Sequence, residues 1–175
     1  MTLTGGLRRA ALTVHVVTSV GWLGAVLAFL VVAVTGLSSA DGGVVRAAVI
    51  LMAAIGQVAI VPLSLLALAS GVLQALGTRW GLVDHYWVVI KLVITAVSVL
   101  VLLNFQPDLN ALARLAAGWA VPTPAQLALL RSPSPALHAG GALALLVTAT
   151  ALSVMKPAGV TAYGQRRQRR AAGRP

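Results

Sequence analysis

The sequence has no cysteine, no glutamate and only three aspartates among its 175 residues. A chain without cysteine has no disulfide framework, no thiolate metal site and no cysteine nucleophile. Asp41, Asp84 and Asp108 all fall in predicted loops or at predicted helix ends, so no carboxylate pair is available for acid/base catalysis inside the fold. Hydrolase chemistry is therefore excluded, and the sequence favours a protein that is not an enzyme.

Charge of either sign is scarce as well. Charged residues make up 9% of the chain and hydrophobic residues 59%. A soluble domain of this size leaves too much surface in contact with water to hide so many apolar side chains, so the expected solvent is lipid. Apolar runs long enough to cross a bilayer, which takes about 20 helical residues, occur in four places. They cover residues 10–35, 44–76, 87–105 and 136–155.

These runs predict an all-α fold, a polytopic four-helix transmembrane bundle that forms one domain over residues 1–156. The first run is far longer than the roughly 7 to 15 apolar residues of a signal peptide, so we expect it to be a retained span. The second run is longer than one crossing requires. It therefore predicts a helix that is tilted, bent at Pro62 or extended beyond the membrane.

The segment 106–135 is predicted to be an outer loop between spans three and four. Asp108 is a helix-capping residue type and predicts one short helix there. Thr123, Pro124 and Gln126 form a second helix start signal, with proline at the first helical position and glutamine three residues after the cap. Both short helices are expected to lie at the outer interface. The basic tail, 157–175, is predicted to be disordered.

Cationic residues predict the orientation, because loops rich in lysine and arginine stay on the cytoplasmic side. With both termini in the cytoplasm, in a plasma (inner) membrane, nine cations lie inside and three outside. The inside set is Arg8, Arg9, Arg79, Lys156, Arg166, Arg167, Arg169, Arg170 and Arg174; the outside set is Arg46, Arg114 and Arg131. The tail is also expected to contact anionic lipid head groups. Nucleic acid is not an expected partner, because no aromatic residue is interleaved with the tail arginines.

Polar side chains deep in the spans are the candidate functional residues, because each is costly in lipid unless it has a partner or a purpose. Spans one and three run in the same direction, which places His15 and Lys91 at a similar depth, with Gln74 between them. The intramembrane polar cluster consists of His15, Ser19, Gln74, Lys91, Thr95 and Ser98. His15 is either a ligand or proton relay, or a neutral imidazole bonded to Ser19 or Gln74. Lys91 either points into the bundle or extends its ammonium group to the inner head groups.

Four stretches of the chain carry a resemblance to known membrane proteins. They are "LTVHVVTSVGWLGAVLAF" in span one, "SGVLQALG" at the end of span two, "YWVVIKLVITAVSVL" in span three and "VMKPAGVTAYGQRRQ" after span four. Over nearly its whole length the chain resembles a family of small, uncharacterised actinobacterial four-helix integral membrane proteins.

A more distant resemblance rests on the histidine and tryptophan of span one and on the pattern W-x-x-x-K-L that opens span three. These features are similar to the membrane domain of copper resistance protein D and to the four-helix, haem-binding protoporphyrinogen oxidases of bacteria. The second likeness implies that His15 and Lys91 bind haem b or take part in catalysis. No metal site is predicted from the residues themselves, because Met1, Met52 and Met155 are scattered.

Three functions are open at this point. The first is an accessory or partner-binding bundle without enzymatic activity, assembled as a homo-oligomer or with a membrane partner. The second is a haem-binding redox protein that uses His15 and Lys91. The third is a subunit of a proton-coupled or metal transporter, for which a titratable His15 near Lys91 is the supporting feature.

Overall fold

Helices make up nearly all of the fold. A computed structural model of the chain describes residues 4–78 and 81–172, and within these ranges it has no β-strand. Four helical segments are long and apolar enough to cross a membrane. The predicted fold class, an all-α four-helix membrane bundle, is therefore confirmed. The cations Arg79 and Arg174, and Met1, lie outside the described residues.

The helix bounds extend beyond the predicted spans. Helix α1 covers Gly5–Ser38, and helix α2 covers Gly42–Ile55. A π-helix over Gly56–Ile60 joins α2 to α3, which covers Val61–Gly77. The remaining helices are α4 at Tyr86–Ala117, α5 at Pro124–Leu130, α6 at Ser134–Met155 and α7 at Ala162–Ala172. In lipid these apolar segments satisfy their backbone polar groups only by forming helices.

The second predicted span is one continuous rod made of α2, the π-helix and α3. The Asp41 carboxylate accepts a 2.7 Å hydrogen bond from the Gly43 amide and so caps the start of α2. Pro62 is the second residue of α3, which begins directly after the π-helix. Proline has no amide hydrogen to donate, and the wider π-turn before it lets the rod continue through this position.

The helix of span three does not end at residue 105, where the sequence predicts the outer loop to begin. Helix α4 runs through Pro107 to Ala117, so the separate short helix expected at Asp108 does not exist. Its added turns bury Leu109 and Ala116 against the bundle, where α4 contacts α2. This packing offsets the hydrogen bond lost at the proline. The second predicted short helix is confirmed as α5, whose Thr123–Gln126 capping box has both of its bonds.

The long helices pack as a ring around a core in which alanines lie between larger apolar side chains such as Trp22 and Met52. Helix α1 lies against α2, α3 and α6, and α4 lies against the same three, so α1 and α4 face each other across the bundle. Close approach depends on small side chains. A Cβ atom placed on Gly36 of α1 would lie 2.6 Å from the Cβ of Ala48 on α2.

We call the end of the bundle that carries α5 the α5 end, and the end where α1 and α4 begin the termini end. At the α5 end, Arg46 donates to the carbonyl oxygens of Ala116 (2.8 Å) and Ala117 (3.0 Å). Arg131 donates to Ser39 O at 2.9 Å. These cations therefore satisfy the last carbonyl groups of α4 and α1, which helices leave without an internal partner.

At the termini end, the tail that the sequence predicted to be disordered contains α7. Its start is held by the segment before α4: the Thr161 amide donates to Asp84 O (2.9 Å) and the Thr161 hydroxyl to Val83 O (2.6 Å). Arg167 of α7 forms a 2.6 Å salt bridge with Asp84, whose side chain is mostly buried. These partners are distant in sequence, so local composition gave no sign of them.

Candidate functional site

His15 lies on the seam between α1 and α3. Its Nδ1 atom is 3.1 Å from Ser70 Oγ and 3.2 Å from Ala67 O. The Ser70 hydroxyl donates to Leu66 O, so we assign the hydrogen to His15 Nδ1 and the acceptor role to the oxygen atoms of α3. A Cβ atom on Gly71 would lie 3.1 Å from His15 Cε1, so the ring rests directly on this glycine.

Gln74 continues the same seam one turn further along α3. Its Nε2 group donates to Ala11 O of α1 at 3.3 Å. His15 and Gln74 thus both join α1 to α3, but each bonds a different group. The sequence singled out Gln74 and Ser19 as partners of His15 and missed Ser70, because a serine in an apolar run usually bonds back to its own helix.

Lys91 is half-buried on α4. Its Nζ atom lies 5.6 Å from the centre of the buried Trp87 ring, one turn closer to the termini end. The ammonium group therefore folds back toward that end, in a cation–π contact. Lys91 lies within electrostatic range of His15, yet no hydrogen bond joins these two described side chains.

A cavity of about 370 Å³ lies between α1, α4 and α6, where α1 and α4 face each other. Trp22 and both phenylalanines of the chain, Phe29 and Phe105, line it. Three other lining residues, Val97, Val101 and Leu137, are 46–71% exposed on the bundle surface. The cavity therefore opens sideways, toward the hydrocarbon region of the membrane.

Ser98 is the polar residue of the predicted cluster that lines this cavity. It is 8% exposed, and its hydroxyl has no hydrogen-bond partner among the residues that the structure describes. Several other hydroxyls on the spanning helices donate to a carbonyl four residues earlier, as Thr18 does to Val14 O and Thr150 to Leu146 O, both at 2.8 Å. Ser98 therefore offers an unused donor in the interior of the bundle.

His138 and Gln106 supply further polar atoms to the cavity wall. The His138 ring stacks on Phe105, with 4.8 Å between centroids and 22° between planes. Its Nδ1 atom lies 2.8 Å from Ser134 O and so donates to it. Sequence reasoning gave His138 no role and placed Gln106 in a loop; both lie on long helices.

Binding of haem by His15 requires a ring nitrogen that is free to coordinate iron. The Nδ1 bond to Ala67 O leaves Nε2 as the nitrogen that could ligate iron, which is common for histidine ligands. However, the ring is seated against Gly71, and neither His15 nor Lys91 lines the cavity. The described contacts give His15 a helix-joining role, and haem binding by these two residues stays a prediction.

Comparison with known proteins adds no relative to this description. No protein-family model, no curated protein and no solved structure matches the chain. The case for a function therefore rests on the geometry of the bundle alone.

Proposed function

We propose that this protein is a non-enzymatic membrane bundle that binds a hydrophobic partner molecule from the bilayer in the cavity between α1, α4 and α6. The observation that carries the proposal is the cavity itself, with its apolar wall and the unpartnered Ser98 hydroxyl. Its volume of about 370 Å³ lies in the range of about 300–1,000 Å³ that small-molecule sites occupy. Such sites combine an apolar lining with a few polar groups that fix the orientation of the ligand.

The proposal includes an orientation. We place the termini end in the cytoplasm and the α5 end outside a plasma membrane, following the distribution of cations in the sequence. Helix α7 then lies at the cytoplasmic surface, where its exposed arginines, Arg166, Arg169 and Arg170, can contact anionic head groups.

The haem and transport alternatives have less support from the geometry. The two side chains named for haem lie on α1 and α4, which face each other across the bundle and are not a closely packed pair. The ammonium group of Lys91 folds over Trp87. A proton path through His15 would have to pass the contacts that seat its ring on α3. The visible absorption spectrum of the purified protein tests the haem alternative directly, since bound haem gives an intense Soret band.

A matched pair of glycine substitutions tests ligand binding. Gly141 lines the cavity and the adjacent Gly140 does not. A Cβ atom would meet nothing within 4 Å at either position, so both accept a larger side chain. Gly141→Leu places a bulky side chain in the cavity, and Gly140→Leu controls for the added side chain on α6.

The measurement is mass spectrometry of hydrophobic molecules that copurify with each variant in polymer-bounded native membrane discs. We expect one class of molecule to be more abundant in discs with the wild type and with Gly140→Leu than in the bulk membrane. This enrichment should be lost with Gly141→Leu. The proposal is contradicted if the same hydrophobic molecules copurify in the same amounts with all three proteins and all three are equally folded.

A further inference from the structure

The position of Ser98 along α4 defines where a polar group of the ligand would sit. Ser98 follows Trp87 by eleven residues, which is about 16 Å along a helix. Half the thickness of a bilayer hydrocarbon core is about 15 Å. With Trp87 near one interface, the Ser98 hydroxyl lies near the midplane, where water is not at hand to accept its hydrogen. An acceptor on the ligand is the partner that the Ser98 hydroxyl lacks.

The charge of the cavity wall limits the chemistry of that ligand. None of the described residues that line the cavity is an acid, a lysine or an arginine. A carboxylate or phosphate in this position would be an unpaired charge in lipid, which is strongly unfavourable. Free fatty acids and phospholipid head groups are thus excluded from the part of the cavity beside Ser98. The ligand that fits is neutral and carries a strong acceptor, such as a ketone carbonyl.

The aromatic residues of the wall indicate a flat ligand. Phe29, Phe105 and Trp22 line one cavity in a chain with only eight residues of the Phe, Trp and Tyr types. The His138 ring extends this set by stacking on Phe105. Aromatic faces and edges pack best against other planar rings, in stacked or edge-to-face geometry. A saturated acyl chain would gain no such preference from this wall.

The lipid-facing part of the cavity wall leaves room for a long tail on the ligand. Val97 and Val101 of α4 and Leu137 of α6 line the cavity and face the membrane hydrocarbon. A ring seated beside Ser98 can therefore leave an aliphatic chain in the surrounding lipid.

We infer that the cavity is a binding site for an isoprenoid quinone, with one ring carbonyl accepting the hydrogen of Ser98 and the ring packed among Trp22, Phe29 and Phe105. The inference rests on the proposed function and specifies its ligand class. No electron transfer by the protein is implied, because the inference uses only the binding contacts of Ser98 and the aromatic residues.

Tryptophan fluorescence provides the test, because quinones quench a nearby indole and Trp22 lies in the wall. The full chain in lipid nanodiscs is titrated with a short-tailed naphthoquinone and, separately, with an alkylnaphthalene that has the same ring system but no carbonyl. We expect saturable quenching by the quinone that is lost in Trp22→Phe and in Gly141→Leu and kept in Gly140→Leu. Competition by the alkylnaphthalene should be weaker.

The Ser98→Ala variant isolates the carbonyl contact. Removing one neutral hydrogen bond should weaken quinone binding by up to about tenfold and leave alkylnaphthalene binding unchanged. Equal loss for both molecules would mean that Ser98→Ala alters packing and would overturn the carbonyl assignment.

A third probe separates this inference from the proposed function. A phospholipid with a spin-labelled acyl chain also quenches tryptophan. If that lipid quenches Trp22 in a Gly141-dependent manner while the quinone does not, the cavity binds lipid chains and the quinone assignment is wrong. If neither probe is sensitive to Gly141→Leu, the proposed function fails as well.

Discussion

The Gln106 side chain on α4 donates a 3.1 Å hydrogen bond from Nε2 to the backbone oxygen of Ala53 on α2, three residues before the π-helix begins. The same Nε2 group donates to Asn110 Oδ1 at 2.7 Å, and Asn110 in turn donates to Gln57 Oε1 at 3.0 Å. The network ties α4 to the point where the rod changes from α-helix to π-helix. Gly56, the first residue of the π-helix, lies directly against the Gln106 amide oxygen.

Gly56→Ala should therefore destabilise the bundle. A Cβ atom at this position would overlap the Gln106 side chain, and overpacking of this kind costs about 1–3 kcal/mol. The measurement is the free energy of unfolding in mixed micelles. Gly24→Ala is the control, because a Cβ atom there meets nothing within 4 Å, and it should cause no loss. In the Gln106→Ala background, Gly56→Ala should lower the free energy of unfolding by less than it does in the wild type. An equal decrease in both backgrounds would argue against the contact with Gln106 as its cause.

The contact between His15 and α3 gives a second prediction. His15→Ala should lower the free energy of unfolding by about 0.6 kcal/mol, the average for interhelical hydrogen bonds in membranes. Gly71→Ala should be destabilising in the wild type, because its Cβ would lie 3.1 Å from His15 Cε1. It should be nearly neutral in the His15→Ala background, where the ring is gone.

The same variants examine the haem alternative through a separate readout. If His15 only joins helices, the visible spectrum of protein from haem-replete cells is identical with and without His15→Ala. A Soret band in the wild type that disappears in His15→Ala would give His15 a ligand role instead. Quinone binding should be unaffected in either case, because His15 does not line the cavity.

The Asp84–Arg167 salt bridge leads to a prediction about α7. Arg167→Ala removes the ionic contact and leaves the mostly buried Asp84 carboxylate without it. Because the arginine side chain is 67% exposed, the pair is worth about 0.2–1 kcal/mol, which corresponds to at most a fivefold change in an opening equilibrium. Amide hydrogen exchange across α7 should accelerate by about 1.4- to fivefold.

Arg166→Ala is the matched control for that experiment, since it removes the same charge one position earlier from an exposed side chain. Exchange in α7 should stay at the wild-type rate in this variant. Equal acceleration in both variants would show that total charge, and not the contact with Asp84, holds α7 in place.

The parts of the fold that could be predicted from the sequence depend on local signals. Apolar run length located the four spanning segments, and the spacing of Thr123, Pro124 and Gln126 located α5. Each of these signals lies within the element it predicts. Helix α4 was cut short because Pro107 is a local stop signal, whereas the continuation depends on burial of Leu109 and Ala116 against other helices.

The candidate site was harder to predict for the same reason. Ser98 was selected as a polar residue at depth, but the cavity it lines is formed by three helices and has no signature in any one of them. His138 and Gln106 were passed over because their importance comes from Phe105 and Ala53, which lie 33 and 53 residues away in the chain. The tail was predicted to be disordered because its contact with Asp84 is equally remote.

The absence of cysteine makes the orientation directly measurable, since a single introduced thiol is the only one in the chain. Val121, next to α5, is 85% exposed, and Tyr163, at the start of α7, is 61% exposed. With the α5 end outside, a membrane-impermeant maleimide should label Val121→Cys in intact cells and Tyr163→Cys only after permeabilisation. The opposite pattern would invert the proposed topology, and Arg46 and Arg131, which cap helix ends, would then be cytoplasmic cations. Because these arginines bond to backbone carbonyls, their charge has a structural use on either side of the membrane, so the labelling experiment tests the orientation independently of their role in the fold.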